Sequence, residues 1–209
     1  MPPVERFVCR FAAEPPQAGP PDGAWAQRLE DEFRSACEQI ETEGEDLGEA
    51  GELRFFPDRT WNGRTYVPVT APTSTSLELF GFVSFLQRSP DPHGFAASAD
   101  FTDQTADRNP EWRVDLCDEV IGTWRGDGGR AAEMTLVWGV PLVGRGRVAT
   151  AELAGLAVDQ CEIRGDRFTL LAPDAYRGDY LDIKLWDADG LEVVSESLYT
   201  EDDDEEPEE

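Results

Sequence analysis

Leu77-Glu-Leu-Phe-Gly-Phe-Val-Ser-Phe-Leu86 carries apolar side chains at nearly every position. In an extended strand successive side chains point to opposite faces, so this run is apolar on both of them. It reads as a central strand covered on both sides. Such a strand needs a layer above and a layer below, and the surrounding chain offers both.

Upstream, Trp25, Leu29, Phe33, Ala36, Cys37 and Ile40 recur at steps of three and four residues, which gathers them on one helical stripe. The spacing predicts a helix from Ala24 to about Glu43, about 30 Å long at 1.5 Å per residue, with Asp22 as its N-cap. Glu30, Asp31, Glu38, Glu41 and Glu43 take the opposite face. Before it, residues 4–13 read as a first strand and Pro15–Pro21, with four prolines, as a loop.

Downstream of Glu52 the apolar period is two. Leu53–Pro57 and Arg64–Thr70 flank Asn62-Gly63, a dipeptide that supplies the positive φ angles of a tight hairpin. Phe95 to Phe101, Trp112 to Trp124 and Met134 to Val140 alternate as further strands. Shorter runs follow at 147–153, 156–164, 166–172, 180–187 and 191–199, the last pair joined by Asp187-Ala-Asp-Gly190. The chain therefore reads as α+β with strands dominating: one long amphipathic helix packed on a curled or closed antiparallel sheet, with a C-terminal β-meander. Residues 1–110 form the helix-plus-sheet region and 111–200 the meander, as separate units or one continuous domain. Residues 201–209 hold no apolar residue and are expected to be a disordered acidic tail.

The 209 residues carry 44 acidic and 18 basic side chains, for a formal charge of −26. Such a charge is repelled by phosphate backbones and anionic lipid, so neither nucleic acid nor a membrane is expected as partner. No apolar run reaches the length of a membrane span, and Met1-Pro-Pro-Val-Glu-Arg6 is not the start of a signal peptide, so a cytoplasmic location is expected. The acidity is regional. Residues 53–150 hold 12 acids against 10 bases, whereas 1–52 hold 13 against 4 and the tail 8 against none. Adaptation to salt would spread acids over the whole surface; the excess of arginine over a single lysine fits a GC-rich codon bias.

The four cysteines, Cys9, Cys37, Cys117 and Cys161, are far apart and lack zinc-site spacing. His93 is the one histidine, in a Pro-rich loop, with no G-x-S-x-G beside which to act. Asp187-Ala-Asp-Gly190 lacks the preceding carboxylate of a calcium loop and reads as a hairpin turn. With 44 acids the sequence nominates no catalytic carboxylate pair.

Pro173-Asp174 … Asp182-Ile183-Lys184 resembles the PD-(D/E)xK pattern of metal-dependent nucleases. There two carboxylates on adjacent strands hold Mg²⁺ and a lysine stands beside the attacked phosphate. The resemblance spans about a dozen residues and implies Asp174 and Asp182 as ligands, with Lys184 beside them. The competing reading makes Asp182 and Lys184 solvent-facing neighbours opposite Leu181, Ile183 and Leu185. Gly122-Thr123-Trp124 is similar to the Gly-x-Trp start of lipocalin-like and avidin-like barrels, which implies a cupped sheet around a ligand cavity.

The dense acidic elements remain. Glu38, Glu41, Glu43, Glu45, Asp46 and Glu49 follow one another along the helix end and its loop, and Asp202, Asp203 and Asp204 lie in the tail. Patches of one sign attract oppositely charged partners and speed encounter with them. The function expected is a non-catalytic interaction protein binding a basic protein surface, of inhibitor, immunity or adaptor type, without a cofactor. The alternatives are the small-ligand barrel and a carboxylate-based, metal-dependent hydrolase; two or three carboxylates converging at a cleft would favour the last.

Overall fold

The computed structural model describes residues 23–42, 44–86, 92–126, 129–176 and 178–198. Within them are one helix and twelve strands, all paired antiparallel. Helix α1 spans Gly23–Cys37. Strands β1 (Arg54–Phe55), β2 (Arg59–Trp61), β3 (Arg64–Pro72), β4 (Glu78–Leu86) and β5 (His93–Thr102) form the first sheet, with β1 and β2 sharing one edge of β3. Strands β6 (Val114–Arg125), β7 (Ala131–Pro141) and β10 (Phe168–Asp174) form the second, in the order β10-β7-β6. Strands β8 (Val148–Leu153), β9 (Leu156–Glu162), β11 (Leu181–Trp186) and β12 (Glu192–Ser197) form the third, in the order β12-β11-β8-β9.

The layers stack as helix, first sheet, second sheet, third sheet, with a core in each gap. Leu29 and Phe33 meet Val67, Val69, Leu79, Val83 and Phe85 under the helix. Tyr66, Phe80 and Phe82, on the other face of the same strands, meet Met134, Leu136 and Trp138 of β7. The reverse face of the second sheet sends Val137, Phe168 and Leu170 against Ala149, Ala151, Leu181, Ile183 and Leu185. β4 is thus covered on both sides, as its composition requires. So are β7 and β10, each of which alternates between two cores.

All three sheets are open, which corrects the expectation of a sheet that curls or closes. Nor is the C-terminal part a simple meander, because β7 pairs with β10 and β8 with β11 across intervening strands. Lettered in chain order, β6–β12 pair as A-B-E and D-C-F-G. This is the Greek-key order of an immunoglobulin-like sandwich whose fourth strand, β9, has crossed to the third sheet. Gly122-Thr-Trp124 lies within β6 and closes no barrel. Trp124 packs edge-on against Tyr176 at 5.5 Å, and Gly122 makes room for the Trp61 ring, which a Cβ there would meet at 2.5 Å.

The helix is also shorter than its stripe suggests. After Cys37 the bonds tighten to the i→i−3 pattern (Gln39 N–H to Ala36 O, Ile40 N–H to Cys37 O), and the helix ends. Continuing it would place Glu38, Glu41 and Glu43 at the negative end of the dipole, where only Arg34 offers a counter-charge in the last turn. Ile40 still packs against the helix-side core, now from an irregular segment. The hairpin turn at Asn62-Gly63 (φ 51° and 74°) is the expected one. His93 opens β5 opposite Leu86, exposed, instead of lying in a loop. The expected strand at 4–13, the Asp22 cap and the acidic tail lie outside the described residues. No helix among the described residues is long and apolar enough to cross a membrane.

Leu29 and Phe33 are fully buried, so Leu29→Ala or Phe33→Ala is expected to cost about 2–5 kcal/mol in chemical denaturation. A loss below about 0.5 kcal/mol, the scale of surface substitutions, would show the helix to be peripheral.

Candidate functional site

Beyond α1 the chain folds back along the first sheet, and its acidic segment is pinned to the β3–β4 turn. Glu49 N–H donates to Ser74 Oγ (2.9 Å), Ser74 N–H to Glu49 O (3.0 Å) and the Thr75 hydroxyl to Leu47 O (2.8 Å). Glu38, Glu41, Glu45, Asp46 and Glu49 are all exposed on this platform. Among the described residues none of the five forms an ion pair, and Asp46 bonds the Gly48 N–H within its own loop. Glu43, Asp202, Asp203 and Asp204 lie outside the described residues.

Sequence reasoning missed what this segment encloses. Between the helix end and the returning chain lies a hollow of about 280 Å³, lined chiefly by Phe33, Cys37, Leu47, Leu53 and Leu79, with Glu38 at its edge. Leu47 and Leu53, apolar residues amid acids and glycines, are the signal that could have marked it. Arg34 also lines the hollow and is engaged by Glu30 at 2.9 Å. Burial pushes the Cys37 thiol up to about 11, so it stays a protonated wall residue.

The nuclease-like residues do not converge. Asp174 Oδ1 accepts the N–H groups of Ala175 (2.8 Å) and Leu181 (2.9 Å), tying the β10–β11 connection. Asp182 and Lys184 stand on the outer face of the third sheet, opposite buried Leu181, Ile183 and Leu185. Lys184 Nζ lies 2.9 Å from Glu152 and 3.6 Å from Glu192, and these carboxylates hold its pKa above the ordinary value. That is a structural cation, held in its charged form. No group of three or more His, Cys, Asp or Glu side chains among the described residues is arranged to hold a metal ion.

A second hollow lies at the seam between the first and second sheets. It measures about 540 Å³ and is bounded by Arg54 of β1, Glu78 of β4, Asp115 of β6, and Asp107 and Arg108 of the β5–β6 connection. Glu78 opens the largely apolar β4 on the same face as Phe80 and Phe82, towards the second sheet. Burial raises its pKa above the ordinary 4.5, with Asp115 adding to the shift and a Thr70 hydrogen bond and Arg54 opposing it. Burial likewise raises Asp115 above 3.8, against the pull of Arg54. Glu119, further along β6, is raised by burial too, against a hydrogen bond from Ser98. Cys117, between Asp115 and Asp118, is driven well above the usual thiol range by burial, with Asp115, Glu78 and Asp118 adding to it, which makes it a poor nucleophile.

Comparison of the chain with known protein families, with curated proteins and with solved structures finds no match. What the two hollows do must therefore be argued from their own chemistry.

The raised carboxyl groups fix the sign of one pH effect. A native state that keeps its proton to higher pH than the unfolded chain loses stability as pH rises through the folded pKa. Glu78→Gln removes that penalty. The variant is expected to melt above the parent at pH 7, with the gain shrinking towards zero at about pH 3.5, below the unfolded carboxyl pKa. An equal gain at both pH values would place the effect outside ionisation.

Proposed function

We propose that the protein is a non-catalytic interaction protein whose acidic segment receives a basic surface of a partner protein, as an inhibitor, immunity or adaptor protein would. The supporting observation is one juxtaposition. Five exposed carboxylates that form no ion pair among the described residues follow the helix end and a loop that hydrogen bonds hold in place, and the same stretch walls an apolar hollow with Glu38 at its edge. The charges steer a basic partner into encounter, and the hollow takes an apolar anchor from it. Each supplies what the other lacks, since exposed charge alone adds little affinity and a small hollow alone little selectivity. The occupant is a basic amphipathic segment with one bulky apolar residue among lysines or arginines. An immunoglobulin-like sandwich is compatible with this role, though such a fold hosts many others.

Carboxylate-based hydrolysis is the second reading, favoured by Glu78 and Asp115 meeting at a cleft. Burial shifts both carboxyl groups in the direction that a general acid needs.

The first reading is tested by kinetics. Basic proteins captured by the chain at low salt would be purified singly and their binding followed by surface plasmon resonance. Neutralising Glu38, Glu45, Asp46 and Glu49 to their amides should slow association at low salt, with the difference fading as salt is raised. Leu47→Asp should instead speed dissociation. Unchanged kinetics in both variants would refute the reading.

A further inference from the structure

The hollow at the seam of the first two sheets differs in chemistry from the acidic platform. At about 540 Å³ it falls within the ~300–1,000 Å³ range of small-molecule sites, and it lies at a junction between packed units, where such sites collect. Its lining holds both signs of charge. Arg108 is engaged by Asp103 at 3.1 Å, but Arg54 has no ion pair or hydrogen bond of its guanidinium among the described residues. Glu78 and Asp115 face the same space, and Arg54 influences both without lying within ion-pair distance of either.

Opposite charges this close ordinarily collapse into a salt bridge. Here each belongs to a different paired strand. Arg54 is in register with Thr70, Glu78 with Pro72 and Asp115 with Val140, so the backbone holds the charges apart across open space. A site with its charges already positioned spares a ligand the cost of ordering them.

A third feature narrows the ligand. Sharing Glu78 and Asp115 with the hollow is a recess of about 170 Å³ whose walls include Phe80, Trp112 and Leu116, with Cys117 and Asp118 beside them. An ammonium satisfies two carboxylates that repel one another, a carboxylate satisfies a free guanidinium, and an apolar side chain fills an aromatic recess. We propose that this cleft binds a small zwitterion of the α-amino-acid class with an apolar side chain. Its ammonium sits between Glu78 and Asp115, its carboxylate on Arg54 and its side chain against Phe80 and Trp112. The same chemistry is offered by a free amino acid and by the two ends of a short peptide.

The test is a titration of the full chain, followed by backbone amide shifts and Trp fluorescence. Three probes separate the contacts: L-phenylalanine, phenethylamine, which lacks the carboxylate, and 3-phenylpropionate, which lacks the ammonium. L-phenylalanine should give saturable shifts at Arg54, Glu78 and Asp115. Phenethylamine should bind more weakly, and 3-phenylpropionate least. Arg54→Ala should weaken L-phenylalanine about tenfold while leaving phenethylamine unchanged, because only the first presents a carboxylate. Glu78→Gln with Asp115→Asn should abolish binding of both amines. Arg54 is exposed, so its variant carries the test if the paired substitution disturbs folding. Phenylalanyl-glycine against free phenylalanine distinguishes the two sources of the zwitterion. No saturable shift at these three residues up to about 20 mM, a concentration that reveals even affinities weaker than millimolar, would overturn the proposal. Equal affinity of parent and Arg54→Ala for L-phenylalanine would do the same.

Discussion

One carboxylate touches all three sheets. Asp159 belongs to β9 of the third sheet, accepts the Leu171 N–H of β10 in the second at 2.8 Å, and forms an ion pair with Arg59 of β2 in the first. Both side chains are almost entirely out of water, at 1% and 6% exposure. Burial on balance raises the Asp159 pKa even beside the guanidinium, so desolvation exceeds the attraction. A pair of this kind adds little to stability over an apolar substitute of the same shape. Its effect lies in the asymmetry: packing the sheets in another register would bury one charge without the other, which is strongly unfavourable. The contact therefore specifies which edges meet. Arg167 extends it, donating to Phe55 O at 2.8 Å with its guanidinium 6.0 Å from the centre of the Phe56 ring.

With that edge fixed, the rest of the seam follows. Phe80 and Trp138 pack with centroids 6.5 Å apart, Trp61 lies on Gly122, and the Ser98 hydroxyl donates to Glu119. Where the seam opens, the apolar filling gives way to Glu78, Asp115 and Arg54. The cleft is thus a by-product of how two unlike units are joined, and its charges are held apart by strands whose positions the seam determines. The acidic platform is independent of this junction. It is set by where α1 stops and how residues 45–51 bind the β3–β4 turn.

Local pattern was legible and long-range pairing was not. The helical stripe, the Asn62-Gly63 turn and the two-faced character of β4 each depend on residues within one or two turns of chain, and each is found. The helix end was misread because apolar periodicity continues through Ile40 while the dipole and three glutamates oppose a helix there. β7 looked one-faced because Met134, Leu136 and Trp138 dominate; the other face is made by smaller Thr135, Val137 and Gly139. The sandwich order rests on β7–β10 and β8–β11 pairing, which no local spacing encodes. For the same reason the cleft was invisible: Glu78 and Asp115 are far apart in sequence among 44 acids, and only the seam brings them together. The exposed platform was legible because its acids are consecutive, but the hollow beneath it needed the fold.

The joining of the sheets depends most directly on the Arg59–Asp159 contact, and equilibrium unfolding of Arg59→Met, Asp159→Asn and the double variant, read by hydrogen exchange, tests this. Each single variant is expected to lose about 3–5 kcal/mol, the double variant less than the sum, and the first sheet should lose protection together with the sandwich. Additive losses below about 0.5 kcal/mol, or a first sheet that keeps its protection while the sandwich opens, would show that the sheets are joined by their apolar seam and not by this charge pair.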